Sequence, residues 1–213
     1  MKIFIDFDDV IFNTKQFKED LKDLFSAQGI SPEVFGRYYR DPADNRAVKT
    51  FNPWMHAALI CGEIGCDAEK IGKAIDIFMG DISRYIFPDV PGFVDRAGKS
   101  NVCVVSFGNA EFQNKKIRNS QLEKYIKDVF VTEGAKCEVI AEVLRDEKIG
   151  KDKKIFFIDD RVEQIHEVKE KFPYIVTIFI KRPEGRYQEM EKEGCCNFQI
   201  RNLAEAEKII NRR

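Results

Sequence analysis

Ile3-Phe4-Ile5-Asp6-Phe7-Asp8-Asp9-Val10-Ile11-Phe12-Asn13-Thr14 is the stretch on which the reading of the chain turns. An apolar run of strand length ends abruptly in three carboxylates. Alternate side chains of an extended chain share a face, so Asp6 and Asp8 point one way and Asp9 the other. Two acids held side by side repel each other. A divalent cation offsets that repulsion, and the remaining charge can serve catalysis. The alternative for this segment alone is a polar turn after a buried strand, with an Asp capping the next helix.

Downstream, an amphipathic helix is expected over Lys15–Ala27, with Phe17, Leu21, Leu24 and Phe25 on one side. Asn13 can cap it, with Gln16 three residues on as in a capping box. Residues from Ser31 to Phe87 read as helical. Pro32, Pro42 and Pro53 mark helix starts or breaks. The clearest helix there is Asp67–Asp81, with Ile71, Ile75, Phe78 and Met79 on one stripe.

After the connector Pro88-Asp89-Val90-Pro91-Gly92 the character changes. Strand-length apolar runs (Val102–Val105, Val129–Thr132, Lys154–Ile158, Ile175–Ile180, Asn197–Ile200) alternate with amphipathic helices (near Gly92–Ala97, Ala110–Ser120, Lys136–Arg145, Arg161–Lys171, Leu203–Asn211). Such alternation predicts right-handed βαβ units and a mainly parallel sheet covered on both faces. The expected class is α/β: a Rossmann-like parallel sheet flanked by helices, with a helical insertion leaving it just after the acidic turn.

The chain has 213 residues, 44% hydrophobic and 33% charged, enough for one core or a core plus a smaller lobe. The net charge is −1 and no long basic block occurs, which argues against nucleic acid as a partner. No apolar run approaches the roughly 20 residues of a membrane helix. Met1-Lys2-Ile3-Phe4 runs at once into acids, unlike a signal peptide. The expectation is a cytoplasmic protein without membrane contact, a monomer or a homodimer. Cys61, Cys66, Cys103, Cys137, Cys195 and Cys196 form no Cys-x-x-Cys pair. Only His56 lies near Cys61 and Cys66, so reduced thiols rather than a zinc site are expected.

Ligands of open parallel sheets bind at the carboxyl ends of the strands. Those ends carry Asp6 and Asp8, then Ser106-Phe107-Gly108-Asn109, then Lys136, then Asp159-Asp160. The set suits a divalent metal beside a phosphate. Asp6, nearest its strand, is the candidate nucleophile, since a carboxylate can attack phosphorus. Asp8 can protonate a leaving oxygen and later deprotonate water. Asp6, Asp8, Asp160 and Asp159 are the candidate Mg²⁺ ligands. Ser106, Phe107, Asn109 and Lys136 are the candidate phosphate contacts. Each piece also has an ordinary reading: Ser106-x-Gly as a turn, Lys136 as a solvated helix-start lysine, Asp159-Asp160 as a helix cap. Lys115 and Lys116 are rival amines, but they sit two turns into a helix rather than at a strand end.

These residues carry a resemblance. Phe4-Ile5-Asp6-Phe7-Asp8-Asp9-Val10-Ile11-Phe12-Asn13-Thr14 resembles the first motif of the haloacid dehalogenase-like (HAD) hydrolase superfamily. Val104-Val105-Ser106-Phe107-Gly108-Asn109 resembles its second, Lys136 its third-motif lysine, and Phe156-Phe157-Ile158-Asp159-Asp160-Arg161-Val162-Glu163-Gln164-Ile165 its fourth. Phe87-Pro88-Asp89-Val90-Pro91-Gly92 is similar to the re-entry after a helical cap of the C1 type. Gln164 stands where the family often has Asn or Asp, and Cys137 replaces a proline. In the first motif the position of Asp9 is Gly or Asp.

The resemblance implies a catalytic core of residues 1–14 and 88–213 and a helical cap domain of residues 15–87. It implies a Mg²⁺-dependent phosphatase acting on a small phosphorylated metabolite through an aspartyl-phosphate. The family's dehalogenases lack the second aspartate, so Asp8 argues against that chemistry. Lys49 reads as an ordinary charged-face residue rather than a Schiff-base lysine. A sugar-phosphate mutase and a non-catalytic binding protein of the same fold are the alternatives. In the cap, Arg37-Tyr38-Tyr39-Arg40, Arg46, Asn52 and Trp54 are the segment to watch. Arg37, Arg40 and Trp54 are the candidate substrate contacts.

Overall fold

The computed structural model describes residues 1–39 and 51–211. Six parallel strands form one sheet in the order β3-β2-β1-β4-β5-β6. They are β1 (Lys2–Ile5), β2 (Val102–Phe107), β3 (Asp128–Thr132), β4 (Ile155–Asp159), β5 (Val176–Ile180) and β6 (Phe198–Ile200). The chain reverses its direction of travel across the sheet beside β1, whose neighbours are β2 and β4. That is where a parallel α/β sheet opens a crevice for a ligand.

The helices between and after the later strands are α5 (Val90–Ala97), α6 (Ala110–Asn119), α7 (Lys136–Asp146), α8 (Val162–Lys171) and α9 (Leu203–Ile210). Between β1 and α5 lie α1 (Thr14–Ala27), α2 (Pro32–Tyr38), α3 (Pro53–Ile64) and α4 (Ala68–Met79). Local chemistry sets their starts. The side chains of Asn13, Ser31, Asn52 and Asp67 accept backbone N–H bonds at the starts of α1 to α4. Pro32 and Pro53 occupy the first positions of α2 and α3.

Strand alternation sorts the core into two layers. Phe4, Phe157 and Phe179 pack with Ile140 of α7 and Ile165 of α8 on one face. Ile3, Ile5, Phe156, Ile158 and Ile178 face the other way, toward α5, α6 and α9. The inserted helices join this second layer: Phe12, Phe17, Tyr85 and Phe78 interlock at centroid separations of 5.4 to 6.4 Å, within a cluster that includes Phe112 of α6. Each fully buried ring contributes roughly 2–3 kcal/mol.

The two ends of the insertion run side by side. Phe12 and Ile86 form an antiparallel bridge, and Phe87 N donates to Ile11 O at 2.9 Å. One guanidinium holds both: Arg182 Nε donates to Val10 O at 3.0 Å and Nη2 pairs with Asp89 at 2.8 Å.

The cysteine expectation is corrected in part. Cys61 and Cys66 are joined by a disulfide at the end of α3, a bond of the kind that persists in oxidising surroundings. Cys103, Cys137, Cys195 and Cys196 are free thiols. Among the described residues no helix is long and apolar enough to cross a membrane.

Candidate active site

The strand ends deliver their acids to one place. Asp6 follows β1, its N–H bonded to Ile158 O at 2.9 Å. Asp159 closes β4 and Asp160 follows it. Carboxylate oxygens of Asp6, Asp159 and Asp160 lie within 4.8 Å of one another, and all three residues are buried. Lys136 opens α7 beside them. A cation at a helix N-terminus opposes the macrodipole. Here it is buried and repaid by two carboxylates: Nζ is 2.6 Å from Asp6 Oδ1 and 2.7 Å from Asp159 Oδ2.

Asp159 is thereby satisfied, since its Oδ1 accepts from Arg161 N at 2.9 Å. Asp160 is not. Both its oxygens are buried without a hydrogen-bond partner among the described residues. Burial, then Asp6 and Asp159, hold its carboxyl well above the usual range. Burial also pushes Asp6 up to about 7; Lys136 opposes this, while Asp159 and Asp8 add to it. Burial disfavours the Lys136 ammonium, but Asp159 and Asp6 outweigh it and raise its pKa. Three crowded acids, one of them with two orphaned oxygens, are a donor set of the kind that hard cations such as Mg²⁺ take. The residues fit that ion.

Asp8 lies apart from this cluster. Its Oδ1 accepts from Lys116 Nζ and Thr14 Oγ1, and its Oδ2 from Gln113 Nε2 at 2.7 Å. Burial works against its charge, but Lys116 and Arg186 prevail and hold the carboxyl well below its usual value. Asp9 turns elsewhere. Its Oδ1 accepts from Thr14 N at 3.1 Å and Lys15 N at 3.3 Å, and its Oδ2 pairs with Arg186. Its φ is +53°, a left-handed backbone that Gly adopts freely and Asp tolerates. That geometry accounts for Gly or Asp at this position of the resembled motif.

On the far side of β1, Ser106 is inside β2, paired with Val131, rather than beyond the strand as expected. Its Oγ accepts from Gln113 Nε2 at 2.7 Å. Asn109 caps α6, its side chain accepting from Phe112 N at 3.0 Å. Phe107, Gly108 and Asn109 line the same cleft as Asp6, Asp8, Lys136 and Asp160. The cleft has a volume of about 410 Å³. From the insertion, Phe17, Lys18, Leu21, Tyr39 and Phe51 line it.

Of the expected insertion contacts, the described Arg37 and Trp54 do not line it. Arg37 is exposed and pairs with Glu63 at 3.0 Å. Trp54 packs on Phe112 and under the Lys115 ammonium, outside the cleft lining. Arg40, Arg46 and Lys49 lie outside the described residues. Sequence reasoning weighed Lys116 as a rival amine and set it aside, and it missed Arg186. For Lys116 a signal existed: it shares the buried stripe of α6 with Phe112, Gln113 and Ile117. Arg186 sits in an irregular loop and offers none.

No protein-family model matches the chain, and no curated protein matches it. Solved structures do. A protein from Burkholderia xenovorans described as a haloacid dehalogenase-like hydrolase superposes with a TM-score of 0.73 at 12% identity, covering 99% of this chain and 97% of its own. The magnesium-bound protein YfnB of Bacillus subtilis, described as a HAD-hydrolase, gives 0.61 at 17% identity, covering 99% and 98%. L-2-haloacid dehalogenase from Xanthobacter autotrophicus, with chloropropionic acid covalently bound, gives 0.63 at 10% identity, covering 98% and 97%. At these identities the likeness establishes a shared fold, that of the haloacid dehalogenase-like hydrolases.

Proposed function

We propose that the chain is a Mg²⁺-dependent phosphatase of the HAD-like superfamily that hydrolyses a small phosphorylated metabolite through an aspartyl-phosphate on Asp6. The observation that carries this reading is the buried triad of Asp6, Asp159 and Asp160, with both Asp160 oxygens unpartnered among the described residues, beside the Lys136 ammonium. Asp6 and Asp160, with Asp159 behind them, would hold the cation. Bound there, it supplies the positive charge that lets anionic nucleophile and anionic phosphate approach.

Asp6 attacks phosphorus and the bond to the leaving oxygen breaks. As the phosphate binds, its dianion raises the proton affinity of the nearby Asp8 carboxylate, which takes a proton from solvent and gives that proton to the leaving oxygen. Asp8, again ionised, then takes a proton from water as the water oxygen attacks the phosphoryl group. The Asp6–phosphate bond breaks and phosphate leaves. Ser106, Phe107, Asn109 and Lys136 hold the phosphoryl oxygens. Residues 15–87 serve as the cap, with Lys18, Tyr39 and Phe51 toward the rest of the substrate. Some structural neighbours are dehalogenases, but Asp8 supplies a proton-transfer group that halide departure does not need.

The test is a phosphate-release screen over nucleotides, sugar phosphates and phospho-amino acids with Mg²⁺, run on the wild type and on Asp6→Asn. Turnover lost in the folded variant supports the reading; a fully active Asp6→Asn protein overturns it.

A further inference from the structure

Among the described residues, Lys116 is the one buried cation of the cleft that the proposed chemistry leaves without a task. It is 2% exposed and sits two turns into α6. Its ammonium is held over four phenylalanine rings, Phe12 at 4.6 Å, Phe17 at 5.3 Å, Phe7 at 5.4 Å and Phe112 at 5.9 Å from the centroids. Burying an ammonium among rings is costly unless an anion meets it. The anion is Asp8 Oδ1. One turn earlier on the same helix face, Gln113 Nε2 divides between Asp8 Oδ2 and Ser106 Oγ, each at 2.7 Å. Thr14 completes the set on Oδ1. Both oxygens of Asp8 are therefore fixed, from two sides, by donors at positions three apart on one helix.

We infer that Lys116 and Gln113 are positioning residues that fix the rotamer of the Asp8 carboxylate and tie it to the Ser106 side of the phosphate site. The inference rests on the reading of Asp8 as the proton-transfer group. Neither residue touches phosphorus; both act through Asp8. Four rings around its ammonium crowd Lys116 into place beside Asp8.

The consequence depends on the leaving group. An alkyl phosphate needs its departing oxygen protonated, whereas p-nitrophenolate departs unaided. Lys116→Met keeps the length and the apolar stem and removes the charge. In Lys116→Met, kcat for an alkyl phosphate should fall at least about 30-fold, a share of the full general-acid effect. For p-nitrophenyl phosphate kcat should fall less than about threefold, and KM should stay within about threefold for both. Gln113→Met should show the same selectivity at smaller size. Equal losses on both substrates in a folded protein, or no loss on either, overturn the inference. If Lys116→Met does not fold, Gln113→Met decides by the same criterion.

A crystal structure of the variant provides a readout free of turnover. Asp8 should leave its wild-type rotamer, and an unchanged Asp8 overturns the inference. Wild-type protein inactive on every phosphate ester overturns the phosphatase reading instead, and the crystal structure still decides the positioning role.

Discussion

The ammonium of Lys136 lies 2.6 Å from Asp6 Oδ1, although the two residues are 130 positions apart in the chain. One cation is thus set among three buried acids. Lys136→Met should lower kcat by about 10²–10³-fold, as loss of a preorganised charge does. It should also cost about 3 kcal/mol of stability without metal, because a buried pair is broken from one side. Mg²⁺ should restore part of that stability. Urea unfolding with and without Mg²⁺ measures it; unchanged stability in metal-free buffer counts against the arrangement.

Metal binding should release protons. In the metal-free protein burial raises Asp6 to about 7, and Asp160 is raised as well. These carboxyls are protonated in the fold at a pH where the unfolded chain has lost its protons. The stability this protonation gives is complete below about pH 4 and is lost as pH rises through 7. A bound cation demands the ionised form. Titration calorimetry near pH 7, in buffers of different ionisation enthalpy, should show proton release on Mg²⁺ binding and affinity that falls from pH 8 to pH 6. A pH-independent affinity would sink the triad as the binding site.

His56 predicts acid sensitivity of the opposite sign. Its Nε2 bonds Phe35 O at 3.0 Å, its Nδ1 has no partner among the described residues, and Phe25, Phe35 and Phe51 pack around it. Burial lowers its pKa to about 4; the bond to Phe35 opposes, and Lys18 adds to the fall. Between about pH 4 and 6.5 the unfolded chain binds a proton that the fold rejects, so stability drops as pH falls through that window. Between pH 7 and 4.5 the wild type should lose on the order of 2 kcal/mol more than His56→Phe. Parallel pH profiles of the two proteins would contradict this.

The Cys61–Cys66 bond closes a short loop outside the cleft. Cys61→Ser should cost about 2 kcal/mol in urea unfolding, on the chain-entropy account. Turnover at saturating substrate should not change. A loss of turnover in the folded variant would connect the end of α3 to the cleft.

Much of the sheet was legible because a strand buried on both faces is written as a continuous apolar run. Its ends were less so. Ser106 and Asp159 are polar, yet ladder pairing carries β2 and β4 through them. Asp6 and Asp160 could be nominated because each adjoins its strand, and strand ends converge in a parallel sheet. Lys116 could not be paired in advance. Its contact with Asp8 spans 108 positions and depends on how α6 lies against the turn after β1. The helix pattern shows a lysine on a buried stripe but names no anion. Arg37 and Trp54 were chosen by residue type, and type does not say which side of a helix meets a cleft. Cys61 and Cys66 are paired by a close approach of α3 and the turn after it, which spacing leaves open.

The antiparallel bridge between Phe12 and Ile86 has a consequence for descent. Entry and exit of the insertion are neighbours, clasped by Arg182 through Val10 and Asp89. To the sheet, everything between them is a closed excursion of fixed footprint. A lineage can lengthen, shorten or exchange that excursion without shifting the register of β1 against β2 and β4, and the acids at the strand ends stay in place. New specificities can then be tried above a reaction centre that does not itself have to change.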